Sequence, residues 1–273
     1  MNTSVPASEL LVEVRGPVLW ITINREPRRN ALNGAVIAGI HAAVRDLAHR
    51  AAEGSPPRVR ALVLTGAGRR AFCAGADLTG GPGVFADTLS EPSTDFGRLA
   101  RTFRELGIPS IARVNGDCVA GGMGLMALCD LAVVADHARF GLPEARVGVF
   151  PMQVLVYLRR LVHARHVNEL CLTGELIDSA RALEMGIANQ VVSYSDLDAA
   201  VTALLNRLLA LSPLALKRGK YAIAAMESMA FSEALAFAEA QITIASRTED
   251  AQEGLAAFNE KRKPRWTDST DET

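Results

Sequence analysis

The sequence predicts an α/β fold, a core of parallel strands and helices followed by a helical C-terminal region. Three observations predict it. Short runs rich in Val, Ile and Leu alternate with segments of helical periodicity through the first two-thirds of the 273 residues. Beyond about residue 152 strand-like runs become sparse and helical patterns dominate. Two of the strands run directly into small-residue turns, RRAFCAGADL at 69–78 and NGDCVAGGMG at 115–124, which leave backbone N–H groups uncovered by side chains.

Taken in order, residues 10–14 and 18–24 are apolar runs separated by Arg15-Gly16-Pro17 and read as a hairpin or meander. Residues 25–30 (REPRRN) form a polar loop. Residues 34–50 place Val36, Ile37, Ile40, Val44 and Leu47 on one helical stripe, and Pro56 with Pro57 closes that unit. Residues 61–65 are the next strand. Residues 80–92, with five Gly or Pro, read as a surface loop. A helix follows over 96–106, a strand over 110–114, a helix over 121–129 and a strand over 131–135. Helices are then predicted over 177–185, 195–211, 213–229 and 231–249. This divides the chain into an α/β core, residues 1–195, and a helical region, residues 196–273. Ala234, Phe237, Ala238, Ile242 and Ile244 form an apolar stripe for the core or a subunit interface.

Composition narrows the function. Hydrophobic residues make up 49% and charged residues 22%, as in a folded globular protein. The formal net charge of −1 offers no basic field for nucleic acid or an anionic membrane. Cys73, Cys118, Cys129 and Cys171 show no paired spacing and read as buried thiols of a reducing compartment. The N-terminus lacks the pattern of a secretory signal and no apolar run reaches membrane-spanning length, so a cytoplasmic enzyme is expected.

The two small-residue turns are the chemical signal. In Gly75-Ala76-Asp77 the N–H of Ala76 is the expected free donor. In Ala120-Gly121-Gly122 the N–H of Gly121 opens a helix, where unsatisfied donors and partial positive charge favour an anionic oxygen. Two donors converging on one carbonyl oxygen would stabilise a developing oxyanion. Glu144, in FGLPEARVG at 140–148, is a carboxylate among apolar residues and a candidate acid or base. Asp77 reads as a cap for the next turn, Asp130 as a backbone-bonding acid, and Asp117 is open. His163 and His166 lack the acid or Cys that would complete a metal set, so no metal is expected. TGAGRRA at 65–71 fits a dinucleotide fingerprint formally, but no helix or distal acid follows as that reading requires.

Together these motifs resemble the crotonase superfamily, the enoyl-CoA hydratase/isomerase family. INREPRRNALN (23–33), AFCAGADL (71–78), NGDCVAGGMGLMALCDLAV (115–133), FGLPEARVG (140–148), LTGELIDSARALEMGIANQVV (172–192) and EDAQEGLAAFNEKRKPRW (249–266) carry the resemblance over nearly the whole chain. It implies a ClpP-like spiral of repeated ββα units with a C-terminal helical region, assembled as trimers or pairs of trimers. It implies an acyl-CoA thioester substrate, coenzyme A being part of that substrate and no separate cofactor being needed. Ala76 and Gly121 match the oxyanion donors and Glu144 one catalytic acid. Arg28, Arg29, Ala74, Asp77, Leu78 and Lys261 match coenzyme A contacts, Lys261 reaching into a neighbouring subunit. Hydratases of the family carry a second glutamate where this chain has Gly124. The resemblance therefore leaves open an isomerase working through Glu144 alone, a hydratase recruiting Asp117 or an acid of residues 80–95, and a coenzyme A-binding protein without chemistry.

Overall fold

The computed structural model describes residues 8–52, 59–79, 81 and 93–270. Its strands, in chain order, are β1 (Leu10–Arg15), β2 (Val18–Ile23), β3 (Ala61–Gly66), β4 (Ala71–Cys73), β5 (Ser110–Val114), β6 (Asp117–Val119), β7 (Leu131–Ala135), β8 (Arg139–Gly141), β9 (Ile177–Asp178) and β10 (Gln190–Val192). The helices are α1 (Gly34–Ala52), α2 (Asp95–Glu105), α3 (Gly121–Leu128), α4 (Met152–Leu161), α5 (Ala164–Thr173), α6 (Ser179–Glu184), α7 (Leu197–Leu209), α8 (Pro213–Met226), α9 (Phe231–Ala245) and α10 (Glu249–Glu260).

Two sheets result, one with the order β1-β2-β3-β5-β7-β10 and a smaller one with the order β4-β6-β8-β9. The β1–β2 hairpin is antiparallel, and from β2 onward the larger sheet is parallel. Each of β3, β5 and β7 is followed by a short strand of the smaller sheet, β4, β6 and β8, before the chain turns helical. That is the ββα repeat the resemblance implied. The central strands are apolar without alternation because both faces of the sheet are covered. Leu62, Leu64, Ala112 and Val114 face α1 and α2. Ala61, Val63, Ile111 and Val133 face Leu197, Val201 and Leu205 of α7. Thus helical sequence beyond residue 195 supplies one layer of the core.

The short strands β4, β6 and β8 depart from the sequence expectation, which placed no strand at 71–73, 117–119 or 139–141. Three-residue strands are too short to show a period of two. The segment after TGAGRRA is β4, not a helix, which removes the structural basis of the dinucleotide reading. The helix expected over 177–185 is β9 followed by α6, and α4, α5 and β10 were not anticipated. The predicted closing prolines, Pro56 and Pro57, and most of the predicted loop at 80–92 lie outside the described residues.

Helices α8 and α9 contain no buried residue. Ile242 and Ile244, expected in a core or interface stripe, are exposed in the single chain, as are Tyr221, Phe231 and Phe258. No single described helix is long and apolar enough to cross a membrane.

Candidate active site

The site lies where the strand ends of the two sheets meet. Two buried asparagines hold this region. The Asn30 side-chain amide donates to the carbonyls of Ala67 and Ala71 at 3.0 and 2.7 Å. Asn115 accepts from the Gly66 N–H at 3.0 Å and donates to Gly68 at 2.8 Å. Each thereby satisfies backbone groups left over where β3 ends. Their neighbours in sequence, the polar loop at 25–30 and the turn at 115–124, are thus fixed against the β3–β4 connection.

The two donor turns are in contact. Gly75 has φ of +91°, and a Cβ there would stand 2.7 Å from the Ala120 Cβ and 3.3 Å from the Gly121 nitrogen. A Cβ on Gly121 would stand 3.8 Å from the Ala76 nitrogen. At Gly122 it would meet the Cys73 carbonyl at 2.3 Å, so α3 sits directly on β4. The chain enters α3 through Ala120 in a positive-φ conformation (φ +53°), its N–H donating to Gly141 at 2.9 Å, and no side chain caps the helix. Opposite, Leu32 pairs with the Ala76 strand by donating to Gly75 at 2.7 Å and accepting from Asp77 at 2.8 Å. In that parallel pattern the Ala76 N–H points away from Leu32. Both predicted donors, Ala76 and Gly121, therefore face one cleft with their hydrogens uncommitted among the described residues.

Glu144 reaches the same cleft from a 3-10 helix, Pro143–Val147, that follows β8 and ends at Gly148 with φ of +79°. One carboxylate oxygen, Oε2, is buried without a hydrogen-bond partner. Burial raises the Glu144 carboxyl above its ordinary value, opposed by a hydrogen bond from its own backbone. Burial and the nearby Glu144 carboxylate together push the Cys171 thiol of α5 up to about 11.

The cleft measures about 1190 Å³. Its other described carboxylates are engaged. Asp77 pairs with Arg25 at 2.8 Å, and Asp95 with Arg98. Hydrogen bonds from Thr79 and Arg25 hold Asp77 down at about 2. The capping role expected of Asp77 is met, since it accepts from the Thr79 N–H. Asp117 pairs with Arg139 at 2.7 Å and does not line the cleft, which corrects its place as a candidate second acid. Asp130 accepts from the Ser110 N–H at 2.7 Å, the backbone role expected of it.

Of the coenzyme A candidates, Ala74, Asp77 and Leu78 line the cleft. Arg28 and Arg29 are exposed at the adjoining turn, whose Arg29 carbonyl accepts from the Ala74 N–H at 3.1 Å. Lys261 is exposed at the left-handed C-cap of α10 and does not line the cleft of its own chain. His163 caps α5 by accepting from Arg165, and no metal-binding group of three His, Cys, Asp or Glu exists among the described residues.

Three features escaped the sequence. Arg25 bridges Glu9 at 2.8 Å and Asp77, an arrangement that a generic REPRRN loop does not announce. Nothing in the local sequence marks Asn30 and Asn115 as the buried side chains they are. Most consequential, Gly124 is buried behind Phe96 and Val154; a Cβ there would meet the Phe96 ring at 2.8 Å and Val154 at 3.0 Å.

A backbone donor pair and a carboxylate with one buried, unpartnered oxygen around one cleft suit chemistry at a carbonyl whose neighbouring carbon gives up a proton. The profile described as "Enoyl-CoA hydratase/isomerase" matches residues 13–269. The chain belongs to the enoyl-CoA hydratase/isomerase family. Among its relatives, the short-chain-enoyl-CoA hydratase of Clostridium acetobutylicum is 32% identical over 261 residues, 94% of this chain and 96% of the relative. The carnitinyl-CoA dehydratase of Proteus mirabilis is 33% identical over 274 residues, 95% of this chain and 98% of the relative. A crystal structure of an enoyl-CoA hydratase from Mycobacterium smegmatis superposes with a TM-score of 0.85 at 32% identity, covering 95% of this chain and 99% of that one. This family member therefore has the crotonase fold.

Proposed function

We propose that the protein moves a proton on an acyl-CoA thioester through an enolate, and that double-bond isomerisation of an enoyl-CoA is its principal reaction. The buried, unpartnered Oε2 of Glu144, in a cleft whose other described acids are paired, carries this reading. The thioester oxygen would accept from Ala76 and Gly121. Glu144 removes a proton from the α-carbon of a 3-enoyl thioester, and the electron pair passes to the thioester oxygen. The same carboxyl then returns its proton to the γ-carbon. The double bond moves to the α,β position and the thioester carbonyl re-forms. One group suffices, and burial suits it, because a carboxyl raised above its ordinary value is nearer the operating pH of a proton shuttle.

The names of the relatives favour hydration or dehydration as a second reading. Adding water needs one group to activate it and another to protonate the α-carbon. Arg25 and Arg98 engage the Asp77 and Asp95 carboxylates on this wall, which weighs against that reading. The exposed apolar residues of α8–α10 support a homotrimer or a pair of trimers, and the positions of Ala74 and Leu78 support a coenzyme A path past Arg28 and Arg29. The deciding experiment measures turnover of 3-enoyl-CoA and 2-enoyl-CoA by the wild type and Glu144→Gln. Loss of isomerisation in the variant is expected. Full activity in the variant would remove Glu144 from the mechanism, and binding without turnover of either thioester would favour a non-catalytic coenzyme A-binding protein.

A further inference from the structure

Position 124 lies one helical turn after Gly121 on the same face of α3, so a side chain there would aim at the cleft. Gly124 itself does not reach the cleft wall. The residues in front of it do: Phe96, from the first turn of α2, and Val154, from the first turn of α4. The space is closed from both sides, with the Phe96 ring 2.8 Å and a Val154 methyl 3.0 Å from where a Cβ would stand. Both side chains are nearly inaccessible. The elements that carry them are tied together. Thr94 caps α2 by accepting from the Gly97 N–H at 2.9 Å, and the same hydroxyl accepts from Gln153, the residue before Val154.

We infer that Phe96, backed by Val154, is the specificity-determining residue that confines this site to proton transfer. It fills the room that a side chain at 124 would need and keeps a second polar group, with the water such a group would hold, off that wall. The absence of a carboxylate at 124 is thus only half of the adaptation, and restoring one leaves the other half in place. This inference rests on the reaction proposed above for Glu144.

The experiment compares Gly124→Glu, Phe96→Ala and Phe96→Ala/Gly124→Glu, measuring 3-hydroxyacyl-CoA formed from 2-enoyl-CoA and isomerisation of 3-enoyl-CoA in each. Gly124→Glu alone is expected to melt lower than the wild type and to gain no hydration. The double variant is expected to raise the hydration-to-isomerisation ratio at least about tenfold, part of the factor of about 10²–10⁴ that a positioned acid or base contributes. Phe96→Val/Gly124→Asp asks for less space and is read the same way if the larger pair does not fold. Hydration by Gly124→Glu equal to that of the double variant overturns the inference, as does a folded double variant with the wild-type ratio. Isomerisation that survives Glu144→Gln instead overturns the underlying reaction, so the two failures are distinguishable.

Discussion

Replacing Gly75 by alanine tests the donor pair without touching either donor. The new Cβ would lie 2.7 Å from the Ala120 Cβ, whereas carbon atoms in contact rest at about 3.5–4.0 Å. One of the two turns must therefore move by about 1 Å. It would also stand 3.3 Å from the Gly121 nitrogen, so the movement acts on the donor itself. A hydrogen bond of about 2.9 Å lengthened by that much no longer counts as one. Losing one oxyanion donor costs about 10²–10³ in kcat, or about 2.7–4 kcal/mol. The φ of +91° adds backbone strain of about 1–3 kcal/mol to the folding stability. Gly16→Ala separates these effects, because Gly16 has φ of +54° with nothing within 4 Å of a new Cβ and sits in the β1–β2 turn. Steady-state turnover of 3-enoyl-CoA with thermal melting decides the matter. The expected result is a loss of stability in both variants and a fall in kcat of about two to three orders of magnitude only in Gly75→Ala. A kcat within a few-fold of wild type in folded Gly75→Ala would refute the convergence of the two turns on the thioester oxygen.

Glu144 and Asp77 give opposite pH signatures. Burial raises the Glu144 carboxyl, so the native state holds its proton to higher pH than the unfolded chain. Its effect on stability is absent below the ordinary carboxylate range and becomes an increasing penalty as pH rises toward the raised value. Glu144→Gln should therefore melt higher than wild type at pH 7, by about 1 kcal/mol for a half-buried unpaired group, with the difference vanishing in acid. An equal or lower melting temperature at pH 7 contradicts this. Wild-type kcat should rise with pH through a midpoint above the ordinary carboxylate value; a midpoint within that range would contradict the desolvated base. Asp77 is held down at about 2 from 3.8, so the stability it contributes is present above 3.8 and is lost as pH falls through about 2. Asp77→Asn should melt lower than wild type at pH 7 and converge with it across that window, and parallel curves would contradict the Thr79 and Arg25 contacts.

The long elements were legible because their burial is periodic or continuous. The six residues of β3 are all buried, and the stripe of Val36, Ile40 and Val44 is fully buried in α1. The donor turns were legible because Gly75 and Gly121–Gly122 stand where strands hand over to small residues. What could not be read depends on distance in sequence. The Cys73 carbonyl against Gly122 and the Phe96 ring against Gly124 involve partners 49 and 28 residues away, and no local pattern encodes them. The three-residue strands of the smaller sheet were hidden for the same reason, since their partners define them. Asp117 looked free until Arg139 on the neighbouring strand was placed beside it. The apolar stripe of α9 was visible in the sequence, but only the fold separated it from the core.

In the proposed mechanism Glu144 exchanges a proton with the α-carbon of a thioester whose oxygen is held by Ala76 and Gly121. The measurement that meets it most directly is deuterium incorporation from D₂O into the α-carbon of a saturated acyl-CoA, followed by mass spectrometry. It requires enolate formation but neither a double bond nor added water. Steady incorporation is expected with the wild-type protein, and incorporation at the protein-free rate with Glu144→Gln. Incorporation by Glu144→Gln at the wild-type rate, or none by the wild type with the acyl-CoA bound, would contradict it.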